Sequence, residues 1–72
     1  MRARITEIRG DDPYYPDRYT IIGREGSILN PEGIASYGWI SMTFLFDEPI
    51  FLLSSRKYVD ELSLSRCKYI IV

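Results

Sequence analysis

The amino-acid sequence predicts one small all-β domain that spans residues 1–72 and contains about five short strands. The strongest strand covers residues 39–46, because the side chains there alternate with the two-residue period of a half-buried strand. Gly- and Pro-containing turns separate this strand from the other apolar runs, and such short spacing is typical of small barrels and sandwiches. The predicted inward face of the strand consists of Ile40, Met42, Phe44 and Phe46.

Two further segments precede the main strand. Residues 2–9 alternate until Glu7 and Ile8, where the pattern slips, so we expect a first strand that is bulged or ends there. Residues 18–22 are rich in β-forming side chains and are predicted to form a second strand. A tight turn at residues 23–26 is expected next, because it carries Gly at both ends and Gly accepts a positive φ at little cost.

The last third of the chain is predicted to contain a hairpin, a helical turn and a final strand. A turn at residues 47–49 would join the main strand to a strand that starts at residue 50. Residues 55–62 carry apolar side chains at roughly helical spacing after serines that can cap a helix, so we expect one short helical turn there. Residues 68–72 prefer β-structure and should form the terminal strand.

Composition removes several classes of function. Nine Lys and Arg stand against ten Asp and Glu, so the net charge of −1 gives no overall attraction to phosphate backbones or anionic membranes. Histidine, the commonest acid–base catalyst and transition-metal ligand, is absent. The single cysteine, Cys67, cannot form an internal disulfide, which favours a cytoplasmic location. We therefore expect no enzymatic activity, no catalytic residues, no cofactor, no metal site and no membrane partner.

The order of elements resembles the SH3-like barrels, which have five strands and one short 3-10 or helical turn before the last strand. One branch includes KOW-like domains and photosystem accessory subunits. It begins with Arg-x-Arg-Ile and continues with a Gly-x-x-Gly-x-Ile turn and a long apolar strand that ends in Phe. The matching residues are Arg2, Arg4, Ile5, Gly23, Gly26, Ile28, Phe44, Phe46 and, before the last strand, Leu62. This resemblance implies a five-stranded barrel and a nucleic-acid-binding function.

A second branch, the peptide-binding SH3 domains, has a similar distribution of aromatic residues. Its members build an aromatic groove from an acidic Tyr-containing loop, a Trp at the start of a strand and a late Tyr-Val pair. The counterparts in this sequence are Asp11, Asp12, Tyr14, Tyr15, Trp39, Tyr58 and Val59. This resemblance implies binding of a protein partner.

The loop of residues 11–19 is the leading candidate for a binding site. Tyrosine has a large rigid face and a polar tip, as interfaces favour, and the prolines reduce the entropy lost on binding. Alternatively, the tyrosines fold back as a lid over a thin barrel, and Trp39 packs beneath the loop instead of acting as an anchor. Three aspartates in the loop could ligate Ca²⁺, but their spacing matches no EF-hand. The predicted partner-binding residues are Asp12, Tyr14, Tyr15, Tyr19, Trp39 and Tyr58.

Two functional hypotheses follow. The first is a non-catalytic interaction module that binds a protein partner as an accessory or regulatory subunit, with a homodimer as a variant of the same idea. The alternative is a KOW-like module that binds RNA through basic residues interleaved with tyrosines. The predicted nucleic-acid-binding residues are Arg2, Arg4, Arg18 and Arg24. Nearby acidic residues partly cancel their field, so a mixed-charge solvated face is the other interpretation of these arginines.

Overall fold

Five antiparallel strands form one sheet in the computed structural model, which describes residues 1–29 and 42–72. The strands are β1 (Arg2–Ile8), β2 (Glu25–Ile28), β3 (Thr43–Leu52), β4 (Lys57–Ser63) and β5 (Cys67–Ile71). A 3-10 turn (Tyr15–Asp17) and a one-turn helix, α1 (Arg18–Ile21), connect β1 to β2. The prediction of an all-β domain with five strands is therefore confirmed.

The strand order across the sheet is β4-β3-β2-β1-β5. Among the described strands the sheet is open, because β4 pairs only with β3 and β5 pairs only with β1. The sequence predicted a closed barrel instead. β4 and β5 are the two edge strands, and the short connection between them holds these edges close together at one end, but no strand pairing joins them among the described residues. The Leu64 N–H donates to the Met42 carbonyl beside β3, and the Arg66 carbonyl accepts from the Arg9 N–H beyond β1.

The predicted slip in the first strand is confirmed. The pairing of β1 with β5 shifts register between Ile5 and Glu7, as an extra residue in one strand requires. Ala3 and Ile5 are buried before the bulge, and Ile8 is buried after it, so the inward side changes from odd to even positions. The bulge thus explains how β1 contributes three apolar side chains to the core although its sequence alternation breaks.

The core lies on one face of the sheet and is centred on β3. Phe44 and Phe46 are buried, and their rings pack edge to face with centroids 5.1 Å apart. Met42 is half-buried against the same cluster, whereas Ile40 lies outside the described residues. The inward face predicted for the main strand is therefore confirmed for its described part. The buried apolar residues are Ala3, Ile5, Ile8, Ile21, Ile28, Phe44, Phe46, Ile50, Leu52, Leu62 and Leu64.

The prediction of a strand at residues 18–22 is wrong, because Arg18–Ile21 forms α1. Pro16 lies in the 3-10 turn that leads into the helix, where its fixed φ and missing N–H are tolerated. Ile21 is fully buried and anchors the helix on the core. Local turn chemistry and one anchoring side chain outweigh the β-propensity of the segment. In chain order this helical turn comes before the last strand, as predicted. It lies between β1 and β2, however, and not next to β5.

The prediction of a turn at residues 47–49 followed by a separate strand is also wrong, because β3 continues through this segment to Leu52. Its pairing with β4 shifts register between Leu45 and Ile50. Within the shift, residues 47–49 are exposed, and Pro49 lies in an irregularity of the kind that tolerates a missing N–H.

The helical turn predicted at residues 55–62 is replaced by the end of a turn and by β4. Leu62 is buried opposite Phe44, Val59 pairs with Ile50, and Tyr58 is exposed opposite Phe51. These cross-strand neighbours explain the apolar positions that resembled helical spacing. The terminal strand was predicted within one residue of its observed bounds, Cys67–Ile71.

The predicted turn at residues 23–26 is shorter than expected. Gly23 has a φ of +93°, as a turn glycine should, but Gly26 lies within β2 opposite Phe46. Within residues 1–29 and 42–72, the structure contains no helix that is both long and apolar enough to cross a membrane.

Candidate functional site

The loop between β1 and the 3-10 turn is shaped by Asp12. This residue is buried, and its carboxylate accepts a hydrogen bond from the Tyr14 N–H at 2.7 Å. Its carbonyl accepts from the Tyr15 N–H, and its own N–H donates to the Arg9 carbonyl. Such local bonds are the usual reason for Asp in a tight turn. Asp12, predicted to bind a partner, therefore lies inside the loop and fixes its conformation.

Asp17 joins this loop to the turn between β3 and β4. Its buried carboxylate accepts hydrogen bonds from the Ser54 N–H, at 3.1 Å, and from the Ser54 hydroxyl. Residues 37 positions apart in the chain are thereby held in contact. The two hydrogen bonds place α1 and the β3–β4 turn side by side at one end of the sheet.

We expect Asp17→Ala to lower the free energy of unfolding by about 1–3 kcal/mol, because it removes the buried acceptor of both the Ser54 N–H and the Ser54 hydroxyl. Asp11→Ala is the matched control, since Asp11 is exposed and forms only surface ion pairs with Arg9 and Arg66; its expected effect is below about 0.5 kcal/mol. Urea unfolding measures both. Equal losses for the two variants would show that the loop is not held by Asp17.

Arg18 organises two tyrosines beside this junction. Its guanidinium carbon lies 4.2 Å from the ring centroid of Tyr15 and 4.5 Å from that of Tyr19. The guanidinium also donates to the Tyr15 carbonyl at 3.1 Å. Tyr15 is half-buried against the core, while Tyr19 is 83% exposed. The cation–π contacts hold the exposed ring in a defined position although it has little contact with the core.

A second aromatic group lies on the strands that flank Ser54. Phe51 on β3 pairs directly with Tyr58 on β4, and their ring centroids are 5.1 Å apart. Tyr58 is 72% exposed, and Leu53, at the start of the turn, is 74% exposed. The Asp17–Ser54 hydrogen bonds bring this group and the tyrosines of the loop to the same end of the molecule. We call the resulting set of side chains the aromatic surface: Tyr15, Arg18, Tyr19, Phe51, Leu53 and Tyr58.

Three of the six predicted partner-binding residues belong to the aromatic surface, namely Tyr15, Tyr19 and Tyr58. Tyr14 packs against the core beside the loop, as the lid interpretation expects. Trp39 lies outside the described residues. Sequence reasoning missed Phe51 and Leu53. The available signal was the run of residues 50–53, which is apolar at every position, so one side of that strand had to present apolar groups to solvent.

The guanidinium groups of the four arginines predicted to bind nucleic acid already have partners within the protein. Arg2 donates to Asp47 at 2.7 Å, and Arg4 donates to Glu25 at 2.9 Å. The hydrogen bond from Arg2 lowers the pKa of Asp47 and raises that of Arg2 itself. Arg24 donates to the Thr20 carbonyl, and Arg18 lies between the tyrosines.

Aspartates of the loop are not assembled as a cation site. Across residues 1–29 and 42–72, no three acidic, Cys or His side chains are placed to hold a metal ion. A shallow depression of about 370 Å³ lies beside the Arg2–Asp47 pair, between the start of β2 and the irregular part of β3. Its lining is largely polar: Gly23, Arg24, Glu25, Phe46, Asp47 and Glu48.

Cys67 is half-buried next to the β4–β5 turn, and its thiol lies 3.9 Å from the Ser63 carbonyl. Burial, with a smaller contribution from the charge of Asp12, raises the pKa of this thiol from its ordinary value of 9.0 to about 11. The thiolate is the reactive form of cysteine. Its population in the folded chain is therefore small at neutral pH.

We expect a disulfide reagent near pH 8 to modify Cys67 at least about tenfold more slowly in the folded chain than in the unfolded chain, because the raised pKa lowers the thiolate fraction more than it raises the nucleophilicity of the remaining thiolate. The measurement compares the rate in native buffer with the rate in concentrated guanidinium chloride. Similar rates in the two solutions would show that the thiol is neither buried nor raised in pKa.

No protein-family model, no curated protein and no solved structure matches this chain.

Proposed function

We propose that this domain is a non-catalytic interaction module that binds a protein partner through the aromatic surface and acts as an accessory or regulatory subunit. The observation that carries the proposal is the placement of two exposed aromatic groups on either side of the Asp17–Ser54 hydrogen bonds. Aromatic residues and arginine supply most of the binding energy in protein interfaces. The absence of histidine from the sequence supports a non-catalytic role.

The rigidity of the aromatic surface is the second support for this proposal. The Tyr19 ring contacts the Arg18 guanidinium, and the Tyr58 ring packs against Phe51 at a tilt of 47°, so each exposed ring is ordered before a partner arrives. The hydrogen bonds that the buried Asp17 carboxylate accepts from Ser54 hold together the two segments that carry these groups. A surface ordered in advance loses less conformational entropy on binding, and this favours affinity for a given contact area.

Leu53→Ala tests the proposal against a matched control. We expect this change to weaken peptide binding at least about tenfold, since it removes an exposed apolar side chain from the surface. Leu29→Ala is the control, because it also truncates an exposed leucine, but one that lies beside the far ends of β2 and β3. Leu29 is 53% exposed, and its replacement should change binding less than about twofold. The measurement is fluorescence anisotropy with a peptide selected on the immobilised domain from a random short-peptide library.

Two results would contradict the proposal. One is a selection that yields no peptide binding above the bare matrix. The other is equal weakening by Leu53→Ala and Leu29→Ala, which would place binding elsewhere or make it unspecific. The alternative function, RNA binding through Arg2, Arg4, Arg18 and Arg24, is tested in the same assay with a random-sequence RNA, and retention of the RNA at moderate salt would favour it.

A further inference from the structure

Eight of the nine cations of the chain fall into two groups; the ninth, Arg24, forms no ion pair within residues 1–29 and 42–72 but lines a depression together with Glu25, Asp47 and Glu48. Most lie beside carboxylates: Arg2 pairs with Asp47, Arg4 with Glu25, and Lys68 with Glu7 at 3.2 Å. Arg9 and Arg66 both pair with Asp11. These five cations lie along β1, β5 and their connections, and their charge is largely neutralised within the protein.

The cations at the aromatic surface differ from that group. Arg56 in the β3–β4 turn and Lys57 at the start of β4 form no ion pair with any residue in the described part of the chain. Arg18 contacts two tyrosine rings and a carbonyl, but no carboxylate. Its nearest acid in sequence, Asp17, is buried and bound to Ser54. Three cations at this end therefore lack an acidic partner.

The acidic side chains near this surface are too few to balance those cations. Asp17 faces inward. Asp60, two residues beyond Tyr58 on β4, is the nearest exposed acid along that strand. Three cations against the carboxylates of Asp17 and Asp60 leave this end with a small local positive charge in a chain whose net charge is −1. An excess of one sign on a small apolar surface selects partners of the opposite sign.

Arg56 also has an unusual backbone. Its φ is +56°, in the left-handed region that Gly or Asn occupies more easily than other residues. The turn is closed by the Arg56 N–H, which donates to the Leu52 carbonyl at 2.7 Å. A long cationic side chain therefore stands where glycine would form the same turn with less strain, and it stands beside the aromatic surface.

The rings of the aromatic surface favour a protein segment over a nucleic acid. Binding of single-stranded nucleic acid needs free ring faces on which bases stack and a basic groove that follows the backbone. Here Arg18 already covers a face of Tyr15 and of Tyr19, and the Phe51 and Tyr58 rings pack against each other. The exposed Leu53 adds apolar area that cannot stack with a base.

We infer that the partner of the aromatic surface is an acidic segment of protein, in which apolar side chains contact Leu53 and the rings while carboxylates meet Arg18, Arg56 and Lys57. This inference rests on the proposed function and adds the charge of the partner to it. Carboxylates opposite cations in this setting increase the association rate and set the choice of partner.

The test is a selection from a random short-peptide library on the immobilised domain at low salt. We expect the selected peptides to carry net negative charge together with apolar residues. In one selected peptide, replacement of every Asp by Asn and every Glu by Gln should weaken binding about tenfold. Added salt should weaken binding of the acidic peptide and leave binding of the neutral peptide nearly unchanged.

A pair of double variants locates the effect. The double variant Arg56→Gln with Lys57→Gln should bind the acidic peptide about tenfold more weakly than the native domain does. Its affinity for the neutral version of that peptide should fall by less than about twofold. Arg66→Gln with Lys68→Gln is the matched control, because it also removes one arginine and one lysine, both of them paired with acids of the chain. This control should change binding less than about twofold, and circular dichroism establishes that all variants fold.

The outcomes separate the inference from the proposed function. Selected peptides that are neutral or basic, with binding still weakened by Leu53→Ala, would overturn the inference and leave the proposed function standing. Equal effects of the two double variants would overturn it in the same way. A library that yields no binder, or a random RNA that binds more tightly than any selected peptide, would overturn both.

Discussion

Gly26→Ala is expected to be among the most damaging single changes in the chain. A Cβ atom at this position would collide with the Leu45 carbonyl oxygen and lie 2.9 Å from both the Leu45 carbonyl carbon and the Phe44 Cζ. Two of these three atoms belong to the backbone of β3, so no side-chain rotation relieves the overlap. We expect a loss of about 3 kcal/mol or more in the free energy of unfolding, a large part of the stability of a domain this small.

Gly10→Ala is the control for this change. An added Cβ at Gly10 meets no atom within 4 Å, so the expected effect on stability is below about 0.5 kcal/mol. Urea unfolding, followed by the fluorescence of the single tryptophan or by circular dichroism, gives both values. If Gly26→Ala were as stable as the native chain, β2 and β3 would not approach each other as described.

Phe44→Ala should cost about 3–5 kcal/mol, because the ring is fully buried at the centre of the core and its removal leaves a cavity. Phe44→Leu fills part of that space and keeps the loss measurable if the alanine variant does not fold. Phe51→Ala is the control on the outer side of the same strand. Phe51 is 39% exposed, so its loss should lower the free energy of unfolding by less than about 1.5 kcal/mol.

The comparison of Phe44 with Phe51 tests which side of β3 faces the core. Thermal or urea unfolding of both alanine variants under the same conditions gives the two losses directly. Similar losses would contradict the assignment of one side to the core and the other to the aromatic surface. A larger loss of stability in Phe51→Ala than in Phe44→Ala would indicate that the Phe51 side of β3 faces the core.

The inward face of β3 could be predicted from the sequence because burial on one side of a strand imposes a two-residue period. The bulge in β1 could be predicted because it breaks that period at a defined place, beside Glu7. Both are local patterns in single strands. For the same reason the terminal strand was found almost to the residue.

The elements that were missed depend on contacts that local sequence does not encode. Residues 18–22 have β-forming side chains, yet burial of Ile21 and the preceding proline turn make the segment helical. Residues 55–62 have roughly helical spacing, yet β3 supplies cross-strand partners for them. In both cases the competing structures are close in local preference, and packing against distant residues decides between them.

The candidate site shows the same division. Tyr19 and Tyr58 were predicted from residue type, because exposed tyrosines are frequent in interfaces. Their placement at the same end of the sheet was not predictable, since it depends on the hydrogen bonds between Asp17 and Ser54. Arg56 and Lys57 were missed because an ion pair, or the lack of one, becomes visible only when distant strands are placed together.

The proposed binding site lies at the end of the sheet where α1 meets the β3–β4 turn. The most direct measurement is the change in backbone amide chemical shifts of the ¹⁵N-labelled domain during titration with a selected acidic peptide. We expect the largest changes at Tyr19, Phe51, Leu53 and Tyr58, and small changes along β5. Changes centred instead on β5, or on the paired Arg2 and Arg4, would contradict this placement of the site.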